Sequence, residues 1–295
     1  MSAETTVRRL FCFGLGYTAQ ALARALKAEG WAVAGTCRGE ETRCDLAARG
    51  NTVHLFDRER PLADAHAALA GATHLLSSVP PDATGDAVLD CHAADIAHAE
   101  AIEWIGYLST TGVYGNHRGL WVDEDTPLTP SGERGLRRVA AEELWLNYWW
   151  GHGIPVHVFR LAGIYGPGRS ALDAVRAGSA KRIDKQGHVF SRVHVDDIVA
   201  VVRASMARPD GGRAYNVCDG APAPPAEVIE FACRLLGVEP PPLIPFDEAE
   251  LSPMAQSFYA DNKRVRNDRI KEELGVELEF PDYETGLRAI LAAGG

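Results

Sequence analysis

The sequence predicts an α/β protein with a doubly wound parallel sheet and a smaller C-terminal lobe. Over the first 165 residues, short apolar runs alternate with segments of helical spacing; after Gly166-Pro167-Gly168 the elements shorten and prolines accumulate. Strands that alternate with helices favour a parallel sheet with right-handed crossovers. We therefore expect a first domain over residues 1–165, completed by segments around 193–217, and an interleaved smaller lobe over 166–295.

The individual elements follow from apolar runs bounded by turn residues and from the helical spacing of alanine and leucine. Strands are predicted at 7–13, 31–37, 51–56, 73–79, 105–109, 156–161 and 214–217, with an extended piece near 181–195. Helices are predicted at 18–28, around 86–103, around 135–150 and from Asp197 onward. Asp196 and Asp197 precede an apolar helical run, so we expect them to cap that last helix.

Composition and charge exclude several classes of protein. The formal net charge of −10 argues against binding to the phosphates of nucleic acids, which requires clustered cations. No apolar run approaches the roughly 18 residues that span a bilayer, and residues 2–6 are polar. The six cysteines include no Cys-x-x-Cys pair. We expect a cytoplasmic protein with reduced thiols, without a metal, and with no nucleic-acid or membrane partner.

A glycine-rich turn stands between the first predicted strand and the first predicted helix. It reads Gly-x-Gly-x-x-Ala and comprises Gly14, Leu15, Gly16, Tyr17, Thr18 and Ala19. The first glycine permits a tight turn, the second lets the backbone approach a pyrophosphate, and the small third residue seats the helix on the sheet. These features are typical of the Rossmann fold and predict a dinucleotide site.

Residues after the second, third and fourth predicted strands indicate which dinucleotide binds and what contacts it. Arg38 follows the second strand, where NAD sites place an acid and NADP sites place a cation, so the sequence favours NADP over NAD. An alternative is a solvated arginine beside acidic neighbours. Asp57, after the third strand, is either a contact to the adenine or a simple turn residue. After the fourth strand, Ser77, Val79 and Pro80 are expected to contact the cofactor.

Four segments resemble the extended short-chain dehydrogenase/reductase family, the NAD-dependent epimerase/dehydratase group. They are Gly-Leu-Gly-Tyr-Thr-Ala at 14–19, Leu-Ser-Thr-Thr-Gly-Val-Tyr-Gly at 108–115, Phe-Arg-Leu-Ala-Gly-Ile-Tyr-Gly-Pro at 159–167 and Arg-Val-His-Val-Asp-Asp at 192–197. The resemblance implies hydride transfer at a nicotinamide, with a Tyr acid/base, a Lys four residues later and a Ser or Thr on the substrate oxygen. Thr110 matches the hydroxyl position and would also lie at the cofactor.

The sequence departs from the family at the catalytic pair. Before the family's Ala-Glu, here Ala141-Glu142, Arg134 stands at the Tyr position and Arg138 at the Lys position. Arginine stays protonated in proteins, so the usual proton relay cannot run unchanged. Arg138 is expected to bind the cofactor ribose and Arg134 to bind an anionic group of a substrate; both also fit a basic, solvent-facing helix turn. This combination is similar to the atypical, YeeZ-like members of the family.

Two functions remain open at this point. The first is an NADP-dependent oxidoreductase or epimerase on a small polar or sugar-derived substrate, with Thr110 and Tyr114 as candidate catalytic residues. Substrate contacts would come from Thr111, Arg134, Tyr165, Arg192 and His194. The second is a catalytically degenerate NADP-binding module that serves regulation or redox sensing.

Aromatic residues concentrate near the end of the long helix predicted at 135–150. They are Trp145, Tyr148, Trp149 and Trp150. Such a stripe is either core or an exposed interface, and the family resemblance implies that this helix and the preceding one pair across a two-fold axis. We therefore expect a homodimer.

Overall fold

The computed structural model describes residues 8–294, with the exception of the Met254 side chain. The strands are β1 (Arg9–Phe13), β2 (Ala32–Cys37), β3 (Thr52–Leu55), β4 (His74–Ser77), β5 (Trp104–Thr110), β6 (Trp121–Val122), β7 (Val156–Leu161), β8 (Gly163–Tyr165), β9 (Arg182–Asp184), β10 (Arg192–His194), β11 (Arg213–Val217), β12 (Leu243–Pro245) and β13 (Arg264–Val265). The helices are α1 (Tyr17–Ala28), α2 (Glu40–Ala48), α3 (Ala65–Leu69), α4 (Ala87–Ala97), α5 (Glu133–His152), α6 (Ala171–Arg176), α7 (Val195–Ala207), α8 (Pro225–Leu236), α9 (Pro253–Ala260), α10 (Asp268–Glu272) and α11 (Tyr283–Ala292), with 3-10 turns at Thr111–Tyr114 and Phe246–Glu248. None of these helices is both long and apolar enough to cross a membrane.

Seven strands form one sheet in the order β11-β7-β5-β4-β1-β2-β3. The pairings of β1 with β2, β1 with β4, β2 with β3 and β4 with β5 are parallel. These seven strands correspond to the seven predicted from the sequence, so the doubly wound α/β fold is confirmed; Val7, at the start of the first predicted strand, lies outside the described residues. Because the winding reverses at β1, the turn after β1 opens at the carboxyl edge where such folds bind ligands.

The chain divides into two compact units that interleave along the sequence. The first comprises Met1–Ser109, Arg137–Phe159 and Val202–Ala214, and the second comprises Thr110–Leu136, Arg160–Val201 and Tyr215–Gly295. The domain division at residue 165 inferred from the sequence stays a prediction.

The core of the first unit lies on strands that are buried along their length. Every residue of β4 and of β7 is buried, as expected for a parallel sheet that helices cover on both faces. The aromatic stripe of α5 belongs largely to this core, because Trp145 is fully buried and Tyr148 is 8% exposed. Trp150, at 76% exposure, is the member that faces solvent.

The second unit has a smaller core of its own, formed where α6, α8 and α11 meet Tyr165. Short parallel pairs join β8 to β10, β9 to β12 and β6 to β13. Tyr165 lies so close to α11 that a Cβ on Gly286 would stand 2.1 Å from its hydroxyl oxygen, so only glycine fits there.

The start of α7 corrects one expectation from the sequence. The helix begins at Val195, and the Asp196 amide donates to His194 Nδ1 at 3.3 Å, so His194 occupies the cap position. Asp196 and Asp197 lie in the first turn instead. The Asp197 carboxylate accepts from the main-chain N–H groups of Glu279 and Phe280 at 2.8 and 3.2 Å, which ties a distant loop of the same unit to α7.

Candidate functional site

The glycine turn after β1 is tied to both adjacent strands. Gly14 has a φ of +85°, and its N–H donates to Thr36 Oγ1 on β2 at 2.9 Å. The Leu15 amide donates to the Thr36 carbonyl at 2.7 Å, and Ser78 Oγ donates to the Gly14 carbonyl at 2.5 Å. A Cβ on Gly14 would lie 2.7 Å from Ser78 Oγ. The turn therefore requires glycine here for its backbone angle and for its close approach to the β4 loop.

Gly16 leaves the N-terminus of α1 open. It occupies the N-cap position with extended backbone angles and provides no capping side chain. A Cβ on Gly16 would meet no atom within 4 Å, whereas Thr18 and Ala19 are buried against the sheet. Tyr17 is half-buried, whereas the Leu15 side chain is in the core and the Leu15 N–H and carbonyl are bonded to the Thr36 carbonyl and to Gln20 Nε2. Exposed N–H groups and the positive end of the helix dipole fit a pyrophosphate.

Charged residues surround the ends of β2 and β3. Arg38 is exposed, and its side chain makes no hydrogen bond or ion pair within residues 8–294. Glu40 is paired with Arg43, and Asp57 is paired with Arg60 at 3.0 Å. Arg60 Nη2 also donates to the Arg38 carbonyl at 2.5 Å, a contact that the sequence analysis missed. Glu40 and Asp57 are thus each held by an arginine, and Glu41 is a further exposed acid in the first turn of α2.

After β4, Ser78 and not the expected Ser77 contacts the glycine turn through its hydroxyl. Ser77 is fully buried, and its hydroxyl makes no hydrogen bond within the described residues. Successive strand residues face opposite sides of a sheet, so the next residue, Ser78, carries the hydroxyl that reaches the glycine turn. Val79 is half-buried against the core and Pro80 is exposed. Whether Ser77, Val79 and Pro80 contact a cofactor through their backbone stays a prediction.

Arg138, at the family's Lys position, is anchored under the end of β5. Its Nη1 donates to the Tyr107 hydroxyl at 3.1 Å and to the Leu108 carbonyl at 2.8 Å, and its guanidinium lies 5.6 Å from the centre of the Tyr107 ring. Burial raises the pKa of Tyr107 above its ordinary value, while the Arg138 charge acts in the opposite direction. Glu142, one helical turn after Arg138, is buried and accepts a hydrogen bond from the Ser109 hydroxyl at 2.5 Å. Arg138 is therefore held in place before any ligand binds.

In the second unit, the candidate catalytic residues lie on a 3-10 turn. Thr110 Oγ1 accepts from the Gly112 amide at 3.1 Å and caps the turn. Tyr114 is fully buried: its hydroxyl donates to Asn216 Oδ1 at 2.7 Å and accepts from Arg160 at 2.9 Å. Burial raises the pKa of Tyr114 to about 12. This geometry favours a structural role for Tyr114 over an acid/base role.

The start of α5 packs directly on that turn. A Cβ on Gly135 would stand 3.2 Å from the Gly112 carbonyl oxygen and 2.5 Å from Pro130 Cβ, so the helix start approaches as closely as glycine allows. Arg134, beside this glycine, is exposed, and its side chain makes no hydrogen bond or ion pair within residues 8–294. Arg134 therefore lies where the start of α5 meets the 3-10 turn, which also includes half-buried Thr111. The Arg134 guanidinium is available to a ligand.

The parallel pairing of β8 with β10 brings three predicted substrate residues together. Tyr165 is opposite His194 in the register, with ring centres 5.2 Å apart, but both side chains are buried. Arg192 donates to two main-chain carbonyls, those of Phe190 and Ala223. Burial lowers the pKa of Arg192, and it raises the pKa of the neighbouring Asp219 carboxyl to about 7.

Comparisons with known proteins find a matching family model and a similar protein. The model of the NAD-dependent epimerase/dehydratase family matches residues 14–218. Protein YeeZ of Escherichia coli (strain K12) is 31% identical over 94% of this chain and 97% of its own.

Solved structures match along almost the whole chain. A conserved protein of unknown function from Silicibacter pomeroyi DSS is 51% identical, with a TM-score of 0.89 over 97% of this chain and 99% of that one. MoeE5 in complex with UDP-glucose and NAD is 19% identical and shares the fold, with a TM-score of 0.75 over 98% of this chain and 100% of that one. The glycine turn, the sheet order and these matches lead to one conclusion: the chain belongs to the NAD-dependent epimerase/dehydratase family.

Proposed function

We propose that the protein is a cytoplasmic, NADP(H)-binding oxidoreductase or epimerase that acts on a small polar or sugar-derived substrate. The observation that carries the proposal is the turn from Gly14 to Gly16, which ends at an uncapped helix N-terminus with open space above Gly16. A structure of the same fold, MoeE5, holds NAD and UDP-glucose, which supports both the class of cofactor and the class of substrate.

The charges at the ends of β2 and β3 support NADP(H) over NAD(H). An NAD site needs a free carboxylate for the adenosine ribose hydroxyls, whereas an NADP site needs a cation for the 2′-phosphate. Glu40 and Asp57 are each occupied by an arginine, and Arg38 is unpaired within the described residues. Arg38 therefore offers an unpaired cation at the end of β2, next to the acidic first turn of α2 that Glu40 and Glu41 form.

When bound, the cofactor supplies or accepts the hydride, and the chain holds and orients it. Gly14, Gly16 and the start of α1 would hold the pyrophosphate, and Arg138, already anchored at β5, would hold the nicotinamide ribose. Since Thr110 Oγ1 accepts a hydrogen bond from an amide, its own hydrogen is available to donate to a substrate oxygen. Arg134 would bind an anionic group of the substrate through its exposed fork.

Calorimetric titration with NADPH and NADH tests the proposal. Wild-type protein is expected to bind NADPH more tightly than NADH. Gly16→Asp places a carboxylate at the pyrophosphate position and should abolish binding of both nucleotides, and Arg38→Ala should weaken mainly NADPH. Gly151→Asp makes the same change at an open, exposed glycine of α5, and should bind as wild type does. Loss of binding in Gly151→Asp, or its retention in Gly16→Asp, would contradict the assigned site.

A second candidate is an NADP(H)-binding module without hydride transfer, used in regulation or redox sensing. This candidate is favoured because no group at the expected catalytic positions can give up and regain a proton at neutral pH. Arg134 and Arg138 stay protonated, and the Tyr114 hydroxyl is buried and bonded to Asn216 and Arg160. The double variant Arg134→Tyr/Arg138→Lys separates the two candidates. Turnover of a panel of carbonyls and alcohols by wild type supports the enzyme, whereas turnover only in the double variant supports the module.

A further inference from the structure

We propose that Arg60 is a second, preorganised cation for the 2′-phosphate of NADP(H), and that the main-chain carbonyl of Arg38 helps to fix it in place. This inference rests on the proposed function, because it concerns the adenosine end of the same site. The loop after β3 thereby contributes to recognition of the 2′-phosphate, which the sequence alone assigns to Arg38 after β2.

The turn that carries Arg60 is built by the register of two strands. The Phe56 amide donates to the Cys37 carbonyl at 2.9 Å, so the end of β3 lies beside the end of β2. The chain then reverses in a turn closed by two hydrogen bonds: Asp57 N–H to the Arg60 carbonyl at 3.2 Å, and Arg60 N–H to the Asp57 carbonyl at 3.1 Å. This reversal returns Arg60 to the carboxyl edge of the sheet, next to Arg38.

The Arg60 guanidinium is fixed by two acceptors. Its Nη2 donates to the Arg38 carbonyl at 2.5 Å and to Asp57 Oδ2 at 3.0 Å, which uses both hydrogens of that nitrogen. An arginine has five N–H donors, so Nε and Nη1 retain three for a further ligand. The side chain is 47% exposed, and a phosphate can reach it. A planar fork of this kind suits bidentate recognition of a phosphate.

The Arg38 side chain, unlike that of Arg60, is not held in one position. It is exposed and makes no hydrogen bond or ion pair within residues 8–294, so phosphate binding must immobilise it and pay the rotamer entropy. Arg43 is held by both oxygens of Glu40 at the start of α2, and Arg58, in the same turn as Arg60, is paired with Asp82 and Asp90. Of these four arginines, Arg60 is the one that is fixed beside the strand ends and keeps free donors.

Asp57 then acquires a positioning role. Its Oδ2 holds Arg60, and its Oδ1 accepts from the Glu59 amide at 3.2 Å, which stabilises the turn. An Asp57→Asn variant keeps an oxygen acceptor but removes the ion pair. We expect it to reduce the selectivity for the 2′-phosphate less than the loss of Arg60 does.

Calorimetry with 2′,5′-ADP and 5′-ADP isolates the 2′-phosphate without any dependence on turnover. Arg60→Gln should raise the dissociation constant of 2′,5′-ADP about 10- to 100-fold, the size of one lost charge-assisted contact, and leave that of 5′-ADP within about 2-fold. Arg60→Lys should fall between, because an ammonium cannot form the planar fork. Arg49→Gln makes the same change of charge at the far end of α2, and should match wild type.

The outcomes separate this inference from the proposed function. If wild type prefers 2′,5′-ADP and Arg60→Gln keeps that preference, the inference is overturned and the proposed function stands. If Arg60→Gln weakens both nucleotides equally, Arg60 supports the loop alone, and the inference is again overturned. If wild type binds neither 2′,5′-ADP nor NADPH, both fail. Urea unfolding of each variant checks that the fold is retained.

Discussion

Replacing Gly14 with alanine should destabilise the folded protein, whereas the same change at Gly16 should not. At Gly14 an L side chain is forced to a φ of +85°, which costs about 1–2 kcal/mol. The new Cβ would also stand 2.7 Å from Ser78 Oγ, so this hydroxyl must rotate away and lose its bond to the Gly14 carbonyl, at a further cost of about 1 kcal/mol. Together these effects predict a loss of about 2–3 kcal/mol.

The measurement is urea unfolding at 25 °C, with the free energy extrapolated to water. Gly16→Ala is the matched control, because its φ is −80° and its added methyl meets no atom within 4 Å. We expect Gly16→Ala to lose less than about 1 kcal/mol, the usual range for N-cap changes of this kind, and yet to bind NADPH more weakly. The two glycines therefore separate the requirements of the fold from those of the ligand.

A double variant tests the assignment of the clash. Ser78→Ala removes the hydroxyl, so Gly14→Ala introduced into that background should cost only the backbone contribution of about 1–2 kcal/mol. Equal stability of Gly14→Ala and wild type, or an equal loss in Gly16→Ala, would refute the reasoning.

Three further predictions follow from the described contacts. Tyr114→Phe leaves Arg160 and Asn216 without their shared hydroxyl and should cost about 1–3 kcal/mol in urea unfolding, with unchanged affinity for NADPH; unchanged stability would contradict the buried network. Burial lowers the pKa of His74 to about 4, so the unfolded chain binds more protons than the folded one between pH 6.5 and 4. The free energy of unfolding should therefore fall as the pH drops through that window, and His74→Phe should flatten the fall. A pH profile of His74→Phe parallel to that of wild type would disprove this. Trp150, 76% exposed on α5, is our candidate for the proposed homodimer contact: light scattering at micromolar concentration should show a dimer that Trp150→Gln weakens, and a monodisperse wild-type monomer would rule it out.

The fold was predictable from sequence because the sheet strands are short, largely apolar runs flanked by turn residues. β1 is buried from Leu10 to Phe13 and is an unbroken apolar segment there, whereas the run of β7 also holds the buried polar side chains of His157 and Arg160. The glycine turn was equally visible, since its backbone angles and close approaches leave no alternative to glycine at Gly14.

The side-chain partners were less predictable because they depend on register and on contacts between distant segments. Arg60 reaches the Arg38 carbonyl only through the alignment of β2 with β3 and the reversal after Asp57. His194 caps α7 because the helix begins two residues earlier than the aspartates suggest. The burial of Tyr114 likewise follows from Arg160 and Asn216, which its local motif does not include.

The ratio of the dissociation constants of NADPH and NADH for the wild-type chain tests the central claim most directly. The arginines at the ends of β2 and β3 predict tighter binding of NADPH by about 10-fold or more, the size of one charge-assisted phosphate contact. Equal affinities, or tighter binding of NADH, would contradict the assignment of this edge of the sheet to the 2′-phosphate. Binding of neither nucleotide would contradict the glycine turn as a cofactor site altogether.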